Sequence, residues 1–360
     1  MRLSQDEERA LRDAVRGLLD KHAGADAWKR LTSEIGVAAL GVPERYGGAE
    51  AGLAAVCVVQ EELGRALATT PMLGSAVLTA TAVLATGDQE AAERLLPGIA
   101  AGERTAALAW VGADGHWDPS IPACAVDDEG RLRGTAHYVL DGDRADVLVV
   151  AARDVDGVGL FEVDPAHPHR VAVTTMDQTR PLATVTLDGV PGRRLAGDDH
   201  SAALAHAREV ACVALAAEQV GAAARCLELT VDYTRQRVQF GRPIATFQAL
   251  QHRMADLHVL VETARSAVWA ATVDQISDHE FELLAAVAKV HCSEAFQRVA
   301  GEMVQLHGGI AITWEHDAHR YFKRAHGAAQ LFGQPREHVA RLAATMLAAE
   351  DPAPDERTET

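Results

Sequence analysis

The chain predicts an α+β protein in three consecutive parts: helical, then β, then helical again. Three observations predict it. Apolar residues recur at 3-4 spacing through the first hundred residues and again, over longer runs, after Ser201. Between them, from about Thr105, the pattern becomes short alternating or β-branched runs set off by Asp and Gly turns. At 360 residues with 48% hydrophobic content, the chain is too long for one small core and apolar enough to fill two or three. The expected parts are residues 1–104 (helical), 105–200 (antiparallel β), 201–349 (helical) and a disordered tail over 350–360.

Ser4 followed by Glu7 makes a capping box for a first helix whose Leu11, Val15, Leu18 and Leu19 share a face. Helical patterns recur over Trp28 to Leu40, Gly52 to Leu67, Pro71 to Ala85 and Gln89 to Ala100. The glycines of Gly41-Val42-Pro43-Glu44-Arg45-Tyr46-Gly47-Gly48 read as backbone punctuation. Strands are expected over Thr105 to Val111, Arg131 to Leu140, Asp146 to Ala151, Val158 to Val163, Val171 to Thr175 and Ala183 to Leu187. Turn signals at Asp128-Glu129-Gly130, Asp141-Gly142-Asp143 and Asp188-Gly189 separate them.

In the last part, Cys212, Leu215, Gln219, Ala222, Cys226, Leu229 and Tyr233 form one stripe, and Phe247, Leu250, Met254, Leu257, Val261, Ala264, Val268 and Ala271 another. Gly241 and Pro243 break the pattern between them, and Arg235, Arg237, Gln239 and Arg242 crowd donors around the break. Fixed donors at a helix junction suit a phosphate. A solvated basic turn between core helices fits the same residues.

The formal charge of −17 argues against a nucleic-acid partner or an anionic membrane surface. No apolar run reads as a membrane span and no signal peptide is expected. Cys57, Cys124, Cys212, Cys226 and Cys292 form no CxxC pair, which predicts reduced thiols and a cytoplasmic location. His316, Asp317 and His319 have irregular spacing for a metal site, and His200 and His206 read as surface residues.

Arg237-x-Gln239-Phe240-Gly241-x-x-Ile244-x-x-x-Gln248-x-x-Gln251-x-x-x-Ala255-Asp256 resembles the signature of the acyl-CoA dehydrogenase family of flavoproteins. Gln305-Leu306-His307-Gly308-Gly309-Ile310-Ala311-Ile312-Thr313-Trp314-Glu315 is similar to its QxxGGxGxxxE segment, and the loop at Gly41 to its GxPExYGG loop. The resemblance, weaker elsewhere, runs from the first helix to about Ala349. It implies one compact subunit, a β domain between two α domains, with the C-terminal helices forming the four-helix core of a tetramer.

It also implies the chemistry. A carboxylate removes the α-proton of an acyl-CoA thioester while the β-hydrogen leaves as hydride to FAD, and an electron-transfer flavoprotein or similar acceptor reoxidises the cofactor. FAD lies across a subunit interface, its nucleotide end held by the neighbour. Here Arg237 would pair with the pyrophosphate, Gln239 and Phe240 would line the same region, Gln248 would lie near the adenosine end, and Gln305, Gly308 and Gly309 would let the backbone approach.

The catalytic half departs from the family. The usual base belongs where this chain reads Leu331-Phe332-Gly333-Gln334, so Phe332 stands in its place; the alternative base position counts back to Ala211. Glu209, two positions away, points to nearly the opposite side of a helix, and Glu218 is a similarly displaced candidate. At the flavin end, Trp110-Val111-Gly112-Ala113-Asp114-Gly115 replaces a Thr-Glu-Pro, Gly-Ser-Asp loop, and Tyr138-Val139-Leu140 replaces a Trp-Ile-Thr element. Three readings stay open. The first is the base-less subunit of an actinobacterial type of heterotetrameric acyl-CoA dehydrogenase, paired 2:2 with a catalytic paralogue, in lipid β-oxidation and possibly on sterol side-chain thioesters. The others are a self-sufficient homo-oligomer with a displaced base and a flavin-dependent monooxygenase on the same fold.

Overall fold

The structure, a computed structural model, describes residues 3–350, so the expected tail lies outside the described residues from 351 on. Helix α1 (Gln5–Leu19) opens on the capping box: the Glu7 N–H donates to Ser4 Oγ at 3.3 Å and the Ser4 N–H to Glu7 Oε2 at 2.8 Å. It buries Val15 and Leu18 against the N-terminal core, while Arg12 and Arg16 reach Glu62 at 3.2 and 2.8 Å. The helix expected to Leu40 stops sooner. Helix α2 (Gly24–Arg30) runs through a wide π turn, Leu31–Ile35, to Gly36, whose φ of 79° forces the exit into the short 3-10 turn Val37–Ala39. In the loop before α3 (Gly52–Arg65), a side chain on Gly48 would collide with the Val42 carbonyl, which explains a glycine there without a ligand. A π segment, Met72–Thr79, leads into α4 (Ala80–Ala85), and α5 (Gln89–Ala100) is capped by Asp88, which accepts from Ala91 N at 3.0 Å.

The sheet follows: β1 (Ala106–Ala109), β2 (Cys124–Val126), β3 (Leu132–Leu140), β4 (Val147–Asp154), β5 (Gly157–Val163), β6 (His169–Val173), β7 (Leu182–Val190) and β8 (Arg193–Arg194). Its order is β6-β7-β3-β2-β4-β5-β8, with β1 also on β4. The expected antiparallel unit is in fact mixed. Strands β1 and β2 share one edge of β4, and both pairings are parallel, Ala106 opposite Val147 and Cys124 opposite Ala152. Hairpin turn signals report only sequence-adjacent strands, so crossovers of this kind leave no local mark. The three-residue β2 and two-residue β8 are too short to show alternation.

Helix α6 (Ser201–Gln236) is the central rod of the second helical part. A two-residue hairpin, β9 (Val238–Gln239) and β10 (Arg242–Pro243), links it to α7 (Gln248–Ala270); α8 (Asp278–His307), α9 (Ala318–Gln330) and α10 (Pro335–Glu350) complete the bundle. Contrary to expectation, α6 is long and apolar enough to cross a membrane by length and composition. It is instead a core helix, 78% buried over that stretch, because it packs on α3, α7 and α8 at once. Close approach to α3 is built in. A Cβ on Gly221 would lie 1.7 Å from the Glu61 carbonyl oxygen, and one on Gly64 would lie 1.9 Å from that of Glu218.

Between sheet and bundle lies a dry ionic cluster. Glu218 on α6 accepts from Arg180 and, at 2.7 Å, from Arg324 on α9, and Arg324 also lies 2.9 Å from Asp177; all four are buried. Such a cluster fixes how the β part seats on the second helical part, since breaking one partner strands a charge in the interior.

Candidate functional site

The residues that the sequence assigns to the nucleotide end gather at the α6–α7 junction and the end of α8. Phe240 (φ 53°) and Gly241 (φ 76°) form the tip of the hairpin, the conformation that a two-residue turn of this twist requires. Phe240 is 91% exposed, with its ring edge-on to Phe247, over which Arg242 stacks at 4.1 Å. Arg237 caps α6 through its N–H to the Tyr233 carbonyl at 2.9 Å; its guanidinium is exposed and pairs with no carboxylate among the described residues. Gln239 turns its amide back onto the Val238 carbonyl at 2.8 Å. Gln248 is exposed at the first turn of α7, and Gln305 is exposed on the last turn of α8.

Gly308 does cap α8, with φ 64° and its N–H on the Val304 carbonyl. A Cβ on Gly308 or Gly309 would meet nothing within 4 Å, so both face open space. Val238, Ile312 and Trp314 lie exposed on the same two segments. This donor set suits a nucleotide tail: an unpaired exposed guanidinium, exposed amides and accessible glycine backbone.

The two positions that the sequence aligns with the family's base lie elsewhere, and both are buried. Ala211 on α6 and Phe332 in the α9–α10 loop belong to the same buried apolar cluster. Phe332 is held at φ 60° and meets Trp117 edge-on at 5.1 Å, and Trp117 meets Trp110 at 5.4 Å. This aromatic run joins the β1–β2 loop to the bundle. Nothing in it accepts a proton.

Glu209 is not turned away to solvent as its helical offset suggested. Because α6 is covered all round, Glu209 is buried too, 3.2 Å from Arg208 and 3.4 Å from Arg341. Burial pushes its carboxyl up to about 7, against the pull of Arg208. Each arginine in turn holds one side of the aromatic run. Arg208 donates to the Trp117 carbonyl at 3.0 Å. Arg341 donates to His338 Nδ1 at 3.1 Å, and His338 Nε2 donates to the Phe332 carbonyl at 3.0 Å. Burial lowers the His338 imidazole to about 4, which keeps it neutral and fixes this tautomer. Sequence reasoning missed this brace, since its members are scattered over α6, the β1–β2 loop and α10. Glu218, the other displaced candidate, is locked between Arg180 and Arg324.

At the flavin end, a cavity of about 420 Å³ opens between β3, β7 and the end of α9, lined by His137, Tyr138, Thr184, Gln330 and Leu331. Tyr138 sits at a bulge of β3 with φ 56° and donates its hydroxyl to the Ala113 carbonyl at 3.2 Å. Leu140 points into the N-terminal core, so no hydroxyl stands at that position. Glu209 does not line this cavity.

Other expectations resolve simply. His200 is buried, accepting from Leu160 N–H at 2.9 Å through Nδ1, because its loop folds under β5; His206 is exposed. The five cysteines are free and buried. No cluster of metal-ligand residues occurs among the described residues, His316, Asp317 and His319 included.

Family models match both helical parts: the acyl-CoA dehydrogenase N-terminal domain over residues 5–103 and the acyl-CoA dehydrogenase C-terminal domain over 201–347. The chain is 41% identical over 360 residues to acyl-CoA dehydrogenase IpdE2 of Mycolicibacterium smegmatis, covering 95% of this chain and 99% of that one. It is 40% identical over 353 residues to IpdE2 of Mycobacterium tuberculosis, covering 94% and 96%. Among solved structures it resembles a variant of the Tcur3481-Tcur3483 steroid ACAD, with TM-score 0.85, 32% identity and coverage of 96% and 99%. It also resembles a chain of the ChsE4-ChsE5 complex from Mycobacterium tuberculosis, with TM-score 0.86, 27% identity and coverage of 98% and 99%. The chain therefore belongs to the acyl-CoA dehydrogenase family of FAD-dependent oxidoreductases.

Proposed function

We propose that this chain is the non-catalytic subunit of a hetero-oligomeric acyl-CoA dehydrogenase acting on a steroid-derived CoA thioester. One observation carries the reading: Ala211 and Phe332, at the two positions where the family carries its base, are both buried in one apolar cluster, and Phe332 is braced through His338 and Arg341 to Glu209. A proton cannot leave an α-carbon into such a cluster. The nucleotide grip has the opposite character, with the Arg237 guanidinium and the Gln305 side chain exposed and with open space beside Gly308 and Gly309. Nothing within this chain asks for glycine at 309, which supports a group from outside approaching there. FAD bound at the partner's cleft supplies the hydride acceptor. This chain's part is to bind its pyrophosphate through Arg237 and to close the nucleotide end from water. The steroid class is supported by the similar solved structure, described as a steroid ACAD.

Co-expression with a dehydrogenase-like partner tests this. The chain alone is expected to purify without flavin, and the 2:2 complex to hold one FAD per heterodimer. Flavin in the chain alone, bleached by an acyl-CoA, would overturn the reading.

A further inference from the structure

We infer that Tyr233 is a positioning residue that sets the register between Arg237 and the Gly308–Gly309 turn, with the His307 imidazole as its seat. The inference rests on the proposed sharing of FAD between subunits. Packing of α6 and α7 on α8 seats the helices, but the hairpin 238–243 and the segment 305–313 share no hydrogen bond among the described residues, so their fine spacing depends on contacts at the helix ends.

Tyr233 touches both halves. Its carbonyl accepts the Arg237 N–H at 2.9 Å, and its hydroxyl donates to the His307 carbonyl at 3.2 Å, the oxygen of the peptide that ends at the Gly308 nitrogen. Its ring lies flat on the His307 imidazole, with centroids 4.4 Å apart and planes 24° apart. His307 is itself fixed from three sides. Its Nδ1 donates to the Met303 carbonyl one turn back at 2.8 Å, the His316 ring packs on it at 4.5 Å, and the chain closes α8 at the next residue. Burial and the neighbouring His316 lower the imidazole pKa, so the stack is one of neutral rings. A shift of Tyr233 thus moves the Arg237 amide and the His307–Gly308 peptide apart. Gln239, Phe240, Gly308 and Gly309 are all exposed, and the neighbouring ties, Arg253 to Glu302 at 2.8 Å and the buried cluster of Cys226, Leu257, Met303 and Ala311, seat the helices further from the two tips.

The test uses the heteromeric complex and reads FAD dissociation by flavin fluorescence, beside the thermal midpoint of the FAD-free complex. Tyr233→Phe keeps the stacked ring and removes the hydroxyl, and is expected to weaken FAD about fivefold, the effect of one neutral hydrogen bond, with the midpoint unchanged. Tyr233→Leu removes both contacts and is expected to weaken FAD by more than about tenfold. In an Arg237→Ala background Tyr233→Leu should add nothing, which a merely structural role would not produce. If both Tyr233 variants stay within about twofold of wild type while Arg237→Ala loses FAD, the positioning role is overturned and the shared-cofactor reading stands. If Arg237→Ala also retains FAD, the shared-cofactor reading itself fails. Should Tyr233→Leu not fold, Tyr233→Phe decides alone.

Discussion

The indole of Trp117 stands edge-on to the ring of Phe332, with centroids 5.1 Å apart and planes at 75°. One residue comes from the β1–β2 loop and the other from the α9–α10 loop, so the contact joins the two walls beside the cavity that Trp117 also lines. What lies behind it is braced rather than merely filled, because both backbone carbonyls are held by side chains that converge on Glu209.

Restoring a carboxylate there should not restore chemistry. Phe332→Glu places an ionisable group against Trp117 and the surrounding apolar cluster, at a cost on the order of 3 kcal/mol. The expected outcome is a lower urea midpoint and no acyl-CoA-dependent bleaching attributable to this subunit. Bleaching that appears with the variant would show that the cleft admits a thioester.

Glu209 should make stability fall with rising pH. Its carboxyl is raised from 4.5 to about 7 in the folded chain, so the fold binds a proton that the unfolded chain releases in that window. The stabilisation is complete below about pH 4.5 and is lost as pH rises through about 7, with a drop on the order of 2 kcal/mol. Glu209→Gln should flatten this slope. Urea unfolding at pH 5.5 and 8.5 of wild type and variant measures it; equal slopes would contradict the assignment.

The buried ionic cluster should be intolerant of single removal. Arg324→Met leaves Asp177 and Glu218 short of a partner in the interior, and a loss of about 3–5 kcal/mol is expected in urea unfolding. Replacing Arg324 together with its carboxylates should cost less than the single change. A single variant as stable as wild type would mean that the charges are hydrated.

The α3–α6 contact should reject even one methyl group. Gly221→Ala drives a Cβ into the Glu61 carbonyl, and since backbone cannot swing aside as a side chain can, a loss of about 2 kcal/mol or more is expected. Gly301→Ala on α8, where a Cβ meets nothing within 4 Å, is the matched control and should be neutral or slightly stabilising in the same thermal melt.

Local signals carried most of the element order. The Ser4–Glu7 box, the Gly241 break and the six longer strands all announce themselves over a few residues, because capping, turn chemistry and alternation are short-range. What stayed hidden depends on distant chain. The parallel seats of β1 and β2 on β4, the all-round burial that brings Glu209 inside, and the pairing of Glu218 with Arg180 and Arg324 each join residues far apart in sequence. Around Arg237 the exposed donors were legible as residue types, but the contact of Tyr233 with His307 was not, since it crosses 74 positions.

Helix α6 carries Ala211 in its first third and leads directly into Arg237 at its end, roughly 39 Å further along the axis. A rod of that length lets the two regions vary separately: a substitution around Ala211 leaves the geometry around Arg237 untouched.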